Sequence, residues 1–290
     1  MATAARTNDL IFDIGMNNGD DTAFYLREGF RVVAVEANPA MAQAGEKRFS
    51  AEIAAGRLTI LNVGISAQEG VLPFWICDSI SDWSSFDRSV ASRGGAPHHA
   101  IDVPCRRFGS VLAEFGVPHY LKIDIEGNDM LCVRDLPAAG GPRYVSLEAG
   151  DVSALEALRE RGYSHFQCIS QYHYLPLERP ATAAQKRHER IEWWLYTQSP
   201  FIRVLRGLGL KSFLLAQLAR SRRLRGWIFP FGSSGPFGED LPGKWQSFEE
   251  MAATYQHFQA LAREGGPSVF WHEREYSFWS DFHARKDDAR

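Results

Sequence analysis

Short apolar runs recur along this chain and alternate with longer segments of mixed polarity that have the spacing of amphipathic helices. Short continuous apolar runs are typical of parallel strands that are buried on both faces of a sheet. The pattern predicts strands at Leu10–Asp13, Arg31–Glu36, Leu58–Val63, Tyr120–Ile125, Arg143–Leu147 and Phe166–Ser170. It predicts helices between them at Asp21–Glu28, Pro39–Ala55, Asn128–Asp135 and Val152–Arg161. This alternation indicates an α/β fold, a mostly parallel sheet with helices on both faces.

Two further strands interrupt the alternation. Val71–Ile76 and Ile101–Arg106 are joined by the long connection Cys77–Ala100. Long loops are usually functional or disordered, and this one lies in sequence between the third and fourth core strands. We therefore expect it to arch over the carboxyl edge of the sheet, where open α/β folds bind ligands. Its candidates for contact with a substrate are Trp83, Ser84 and Ser85.

The composition changes after about Pro176, which divides the chain into a core, residues 1–175, and an appendage, residues 176–290. The core includes the inserted hairpin and loop at 71–106. We expect the appendage to be helical and aromatic-rich, and to serve as a lid or an oligomer interface, such as that of a homodimer. Its segment Phe201–Phe229 has seven basic residues and no acids. Contact with an anionic membrane or an acidic substrate is the alternative for this segment.

Composition narrows the function classes. The chain has 290 residues and a formal net charge of −3, which does not favour a nucleic-acid partner. No run approaches the about 18 apolar residues of a membrane span, and the first residues lack the apolar core of a signal peptide. The four cysteines have no metal-ligand spacing. We expect a cytoplasmic protein with reduced thiols and no bound metal.

The loop after the first strand carries the main chemical signal. Gly15 and Gly19 allow the backbone to approach a ligand closely, as in nucleotide-binding turns. Asn17 stands where the dinucleotide fingerprint has its middle glycine, and Asp20 and Asp21 begin the helix. Carboxylates at a helix start compete with a phosphate for the same amides. The loop therefore favours a cationic cofactor without a pyrophosphate, such as S-adenosylmethionine; a plain tight turn and helix capping are the alternatives.

Other strand ends complete the predicted cofactor pocket. Asp13 is a candidate to bind the amino group of the cofactor. Glu36 lies 21 residues after Gly15 (36 − 15), the place from which an acid binds ribose hydroxyls; a solvated strand end is its alternative. By position alone, the residues expected beside the adenine are those of Asn62–Ser66, which include Gly64, Ile65 and Ser66.

Four motifs occur in order in this region: Asp13–Thr22, Val33–Pro39, Asn62–Ser66 followed by Glu69-Gly70, and Leu121–Gly127. On these motifs the chain resembles the FkbM family of S-adenosylmethionine-dependent methyltransferases. The resemblance implies a Rossmann-like class I methyltransferase fold, usually with a seven-stranded sheet. It also implies methyl transfer to a hydroxyl, often on a sugar, a glycan or a secondary metabolite. The motif positions that it adds to the cofactor site are Asn17, Gly19, Asp20, Thr22, Ala37, Asn38 and Asp124.

The motif LKIDIEG supplies the candidate catalytic residues. Residues alternate between the faces of a strand, so Lys122, Asp124 and Glu126 are expected on one face. Asp124 is the first choice to accept or orient the acceptor proton, with Lys122 favouring its ionised form. Glu126 is expected to contact a ligand or to brace the turn. The alternative is a structural lysine–carboxylate cluster that locks the strand end.

Glu148, at the end of the next strand, is a candidate for contact with the substrate. Histidine is suited to act as a base near neutral pH, and the candidates are His98, His99 and His173. The candidates for an aromatic wall are Trp83, Tyr172 and Tyr174. The sequence as a whole predicts a cytoplasmic O-methyltransferase with a small-molecule or glycan acceptor. The alternatives are an NAD-linked oxidoreductase and a non-catalytic module that binds a partner or a membrane through its basic segment.

Overall fold

A computed structural model describes residues 8–171, 174–197, 200, 204, 223–264 and 279–287. The strands in these residues are β1 (Leu10–Ile14), β2 (Arg31–Val35), β3 (Leu58–Leu61), β4 (Gly64–Ile65), β5 (Gly70–Cys77), β6 (His98–Arg106), β7 (Tyr120–Ile123), β8 (Tyr144–Glu148), β9 (His165–Ser170), β10 (Arg223–Leu224), β11 (Trp227–Ile228) and β12 (Ser280–Arg285). The helices are α1 (Asp20–Arg27), α2 (Pro39–Arg48), α3 (Ser50–Ala54), α4 (Arg88–Ala91), α5 (Phe108–Phe115), α6 (Asp129–Asp135), α7 (Val152–Glu160), α8 (Ala183–Thr197) and α9 (Phe248–Glu264).

The central sheet has seven strands in the order β3-β2-β1-β7-β8-β12-β9. Neighbouring strands from β3 to β8 pair in parallel, whereas β12 is antiparallel to both β8 and β9. Six strands therefore share one direction and place their carboxyl ends along one edge. The prediction of a mostly parallel seven-stranded sheet is confirmed.

Each face of this sheet packs against its own hydrophobic core. Phe12 of β1 lies in the first core together with side chains of α5, α6, α7 and α9. Its neighbour Ile11 lies in the second core with Tyr25 of α1 and with Phe237 from the C-terminal part. Because successive residues of a strand face opposite sides, burial on both faces requires continuous apolar runs. This requirement is why the core strands are legible in the sequence.

Strand β12 differs from the expectation that residues 176–290 form an appendage. It lies between β8 and β9 and so completes the core sheet, and α9 packs against α7 and β9. Its sequence SDFHAR alternates polar and apolar residues, a pattern typical of a strand with one solvent-facing side. Here Asp281 and His283 are nevertheless buried. Most of the basic segment at 201–229 lies outside the described residues.

The predicted hairpin is present as β5 and β6, which pair antiparallel in a small separate sheet with β4. The predicted helix Pro39–Ala55 is divided into α2 and α3 at Phe49, which has φ −111° and ψ 26°. The ring of Phe49 is buried and packs under Gly19, where an added Cβ would come 2.6 Å from the ring. None of the described helices is long and apolar enough to cross a bilayer.

Candidate functional site

A cavity of about 560 Å³ lies at the carboxyl edge of the sheet, among the loops that follow β1, β2 and β7 and beneath the loop 78–97. This volume is within the about 300–1,000 Å³ that is typical of ligand pockets. The predicted site residues that line it are Gly15, Asn17, Glu36, Ala37, Asn38, Gly64, Ile65, Trp83, Ser84, Asp124, Glu126 and Glu148. The loop 78–97 covers the edge as the sequence predicts, and Asn17 Nδ2 donates a hydrogen bond to Asp82 Oδ1 in that loop at 2.6 Å.

Several predicted site residues do not line this cavity. They are Asp13, Gly19, Asp20, Thr22, Ser66, Ser85 and Lys122. Ser85 lies just behind the wall, where its hydroxyl donates to the main-chain oxygen of Glu126 at 2.6 Å. His173 and Tyr172 lie outside the described residues. The histidines of the hairpin do not line the cavity either; His99 pairs with Asp78 at 2.7 Å and His98 contacts Arg88 at 3.2 Å.

The loop after β1 is fixed by two close approaches. The amides of Gly15 and Met16 both donate to the main-chain oxygen of Val35, at 2.9 and 3.0 Å. Gly15 has φ +86°, and a Cβ at this position would collide with the main-chain oxygen of Asp124. Glycine is therefore required where the ends of β1 and β7 meet. The result is a rigid turn that presents Asn17 to the cavity.

Glu36 is buried and held by main-chain donors. Its Oε2 accepts from the amide of Asn17 at 2.7 Å, and its Oε1 accepts from the amide of Asn38 at 2.8 Å. Burial raises the pKa of Glu36, and these two hydrogen bonds partly oppose the rise. Each carboxylate oxygen keeps a second lone pair. Glu36 therefore has a fixed orientation at the cavity, and its contact with a ribose stays a prediction.

Lys122 carries a buried charge and does not line the cavity. Its side chain is 3% exposed, and Nζ lies 3.2 Å from Asp13 Oδ1 and 3.6 Å from Asp124 Oδ2. The ammonium also donates to the main-chain oxygen of Gly15 at 2.6 Å. Burial alone would lower the pKa of Lys122, but attraction to the carboxylates outweighs it and the net shift is upward. The lysine is therefore charged and braces the strand ends.

The expectation that Lys122, Asp124 and Glu126 share one face of a strand is met only in part: Asp124 Oδ2 lies 3.6 Å from Lys122 Nζ, but β7 ends at Ile123 and does not reach Glu126. Beyond that residue the chain turns, and Glu126 has φ +43°. Lys122 faces inward to Asp13, whose other oxygen accepts from the Thr22 hydroxyl at 2.6 Å. The structural alternative for the lysine is the one observed.

The paired acids of α1 also have structural partners. Asp20 pairs with Arg48 at 2.8 Å. Asp21 is buried, and both its oxygens accept from the amide of Ser234 at 2.9 and 3.0 Å. Burial, which outweighs the attraction of Lys122, raises the pKa of Asp21 to about 7. Neither acid lines the cavity, and Asp21 instead holds the loop that contains Ser234 against α1.

The part of the cavity near β7 and β8 is strongly acidic. Burial raises the pKa of Glu126 to about 7 despite its ion pair with Arg93 at 3.1 Å. Burial and the charges of Glu126 and Asp124 raise the pKa of Glu148 to about 8. Asp124 is 46% exposed. Among the described residues, no group of three or more potential ligands is arranged to hold a metal ion.

Three lining residues with a clear chemical role have no local signal in the sequence. Arg93 comes from the loop 78–97, and Phe231 and Trp279 come from the C-terminal part. Tyr174, predicted as part of an aromatic wall, is buried instead. Its hydroxyl donates toward the main-chain oxygens of Pro230 and Ser233, at 3.0 and 2.8 Å, and so holds the loop that bears Phe231.

The model of one protein family, described as the methyltransferase FkbM domain, matches residues 13–164. The chain belongs to the FkbM methyltransferase family. No curated protein matches the sequence. Membership confirms the predicted family and S-adenosylmethionine as the cofactor. It favours methyl transfer over the NAD-linked alternative.

Two solved structures illustrate how distant the similar chains are. One is "StiE O-MT residues 942-1257", which is 10% identical with a TM-score of 0.38 over 97% of this chain and 69% of that chain. The other is an S-adenosylmethionine-dependent methyltransferase from Thiobacillus denitrificans in complex with S-adenosyl-L-homocysteine. It is 11% identical with a TM-score of 0.29 over 74% of this chain and 81% of that chain.

The cavity of this FkbM methyltransferase fits its cofactor chemically. S-adenosylmethionine carries a sulfonium and an ammonium group, and it has no phosphate. The described cavity lining has one cation, Arg93, and five carboxylates, which are Glu36, Asp82, Asp124, Glu126 and Glu148. Glu36, at the end of β2, is one of these five, and the excess of carboxylates over cations in the described lining is compatible with a cationic cofactor.

We expect Lys122→Met to destabilise the protein by about 3–5 kcal/mol, because it leaves Asp13 buried without its cation. Urea unfolding followed by circular dichroism measures this change. Lys47→Met, at an exposed position of α2, is the matched control and should change the free energy of unfolding by no more than about 0.5 kcal/mol. A Lys122→Met protein as stable as the control would show that the buried charge is not a brace.

We expect Glu36→Ala to weaken the binding of S-adenosylhomocysteine by a factor of about 10–100, because a charged acceptor of hydroxyl hydrogen bonds is lost. Isothermal titration calorimetry measures the Kd, and Glu46→Ala on the exposed side of α2 is the control. An unchanged Kd in a folded Glu36→Ala protein would remove Glu36 from the cofactor site.

Proposed function

We propose that this protein is an S-adenosylmethionine-dependent O-methyltransferase that acts on a hydroxyl of a sugar, a glycan or a secondary metabolite. The observation that carries the proposal is that carboxylates lie at two separate places in one cavity. Glu36 follows β2 and Glu148 ends β8, three interstrand spacings or ~14 Å away across the sheet. One part of the cavity is thus suited to the ribose of the cofactor, and the other part leaves carboxylates for an acceptor hydroxyl.

S-adenosylmethionine supplies the methyl group together with a sulfur leaving group, so the protein need not activate the donor. The residues of the chain have two tasks, which are to align the acceptor oxygen and to accept its proton. Hydroxyl groups are donors to carboxylates. The acidic end of the cavity therefore suits a hydroxyl acceptor.

The three carboxylates at that end differ in their partners. Asp124 lies 3.6 Å from the Lys122 ammonium, and Glu126 lies 3.1 Å from Arg93. Glu148 makes no ion pair within the described part of the chain. Burial beside other acids makes Glu148 a stronger proton acceptor and raises its pKa to about 8, above the value of about 7 for Glu126. We infer that Glu148 accepts the proton and that Asp124 and Glu126 orient the acceptor, in place of the sequence-based choice of Asp124.

The protein is proposed to act in the cytoplasm. Its four cysteines, which are Cys77, Cys105, Cys132 and Cys168, are all free and buried. Free thiols are typical of a reducing compartment. This observation supports the location and is independent of the cavity.

Incubation of the protein with methyl-labelled S-adenosylmethionine and fractionated cell material tests the activity. We expect mass spectrometry to find a label on a hydroxyl oxygen of a carbohydrate or secondary-metabolite fraction. A label on nitrogen or carbon would contradict the O-methyl assignment, and no label in any fraction would favour the non-catalytic alternative.

Glu148→Gln tests the proton acceptor. We expect it to lower kcat about 100-fold or more while the Kd for S-adenosylhomocysteine is unchanged. The wild-type rate should rise with pH through about 8, because only ionised Glu148 accepts a proton, and this rise should be absent in the variant. Asp124→Asn is the matched comparison. If Asp124→Asn abolishes the rise and Glu148→Gln keeps it, the proton acceptor is Asp124.

A further inference from the structure

Aromatic side chains from distant parts of the sequence meet at the cavity. Trp83 comes from the loop 78–97, whereas Phe231 and Trp279 come from the C-terminal part. Phe231 is 52% exposed, and its ring centroid lies 5.7 Å from that of Trp279 with an interplanar angle of 64°. Phe231 is exposed and Trp83 and Trp279 are half-buried, so aromatic faces are available at the cavity for contact with a ligand.

Hydrogen bonds hold the backbone on both sides of Phe231, so the position of its side chain is set before a ligand binds. Pro230 precedes Phe231, and its main-chain oxygen accepts from the Tyr174 hydroxyl at 3.0 Å. Three residues beyond Phe231, the amide of Ser234 donates to both oxygens of buried Asp21. A preorganised surface loses less conformational freedom when a ligand binds.

Trp279 is placed next to the acidic end of the cavity. It directly precedes β12, and its main-chain oxygen accepts from the amide of Gln171 at 3.0 Å. The next residue, Ser280, accepts from the amide of Ala149 at 2.8 Å, and Ala149 directly follows Glu148. Trp279 and Glu148 both line the cavity, so a ligand that rests on Trp279 is close to Glu148.

The charges of the cavity restrict the ligand further. Five carboxylates and one arginine line its described part. Like charges repel, so a ligand that bears a carboxylate or a phosphate is disfavoured relative to a neutral one, most strongly above about pH 8, where both Glu126 and Glu148 are ionised. A neutral sugar ring has an apolar C–H face that packs on aromatic rings and a rim of hydroxyls that donate to carboxylates.

We propose that Phe231 and Trp279 form the acceptor platform of this enzyme, and that the acceptor unit that rests on it is a neutral pyranose ring whose hydroxyls face Glu148 and Glu126. The inference rests on the proposed O-methyltransferase function and names its substrate class. It assigns the apolar contact with the acceptor to the C-terminal part of the chain and the polar contacts to Glu126 and Glu148, while the proposed cofactor contacts come from residues before 130.

Binding of simple sugars tests the platform without turnover. The probes are the methyl pyranosides of glucose, galactose and mannose, measured by saturation-transfer NMR in the presence of S-adenosylhomocysteine. We expect saturable binding of at least one of them. The methyl glycoside of glucuronic acid, which adds a carboxylate, and sorbitol, which has hydroxyls but no ring, should each bind at least about tenfold more weakly.

Phe231→Ala and Trp279→Ala should each weaken the binding of that pyranoside about tenfold, whereas Trp279→Phe should retain most of it. The Kd for S-adenosylhomocysteine should not change in any variant. Trp194→Ala is the matched control, since Trp194 is 50% exposed on α8 and does not line the cavity. A loss of cofactor binding in either alanine variant would overturn the assignment to the acceptor.

Three further results would overturn the platform: no pyranoside binds the wild-type protein, glucuronate or sorbitol binds as well as the neutral ring, or the alanine variants bind as the wild type does. Each can occur while labelled methyl groups still reach a hydroxyl in cell material. In that case the proposed methyltransferase function is supported and only the proposed platform is contradicted. If no methyl transfer occurs at all, but pyranosides bind and the variants lose them, the platform stands as a sugar-binding site and the enzymatic proposal fails.

Discussion

The buried charge of Lys122 is the constraint on which the geometry of the site depends. Asp13 and Lys122 are register partners on the adjacent strands β1 and β7, and their side chains form an ion pair inside the protein. Removing two charges from water is costly, and the cost is offset only when the geometry and the remaining hydrogen bonds are good. Here the lysine also donates a hydrogen bond to the main-chain oxygen of Gly15. One cation therefore contacts the ends of β1 and β7 and the loop between β1 and α1.

That tie explains the shape of the cofactor end of the cavity. With Gly15 held against Asp124, the following turn directs the amide of Asn17 to Glu36, and the amide of Asn38 reaches the other carboxylate oxygen. Main-chain donors do not rotate away as side chains do. Glu36 therefore has a fixed orientation before any ligand arrives, and the site is preorganised rather than assembled on binding.

The sequence predicts those parts of the structure that depend on local patterns. The parallel strands of the central sheet can be predicted because burial on both faces demands continuous apolar runs, and the place of Glu36 at the cavity can be predicted because it follows a strand at a fixed spacing from Gly15. The sequence does not predict the contact of Asp21, because its partner, Ser234, is 213 residues away. The sequence also does not predict β12 as a central strand. Its alternating pattern indicates one solvent-facing side, whereas side chains on both of its faces are buried.

The two ends of the cavity are held by different kinds of contact, and this has a consequence for specificity. The end that contains Glu36 depends on the buried ion pair of Asp13 and Lys122, so a substitution of either side chain disturbs the fold and this end of the cavity together. The loop of Phe231 is instead anchored through the main chain at Pro230 and Ser234. Side chains on a loop with main-chain anchors are free to change without loss of the loop's position. The fold thus permits the acceptor surface to change while the cofactor site is preserved.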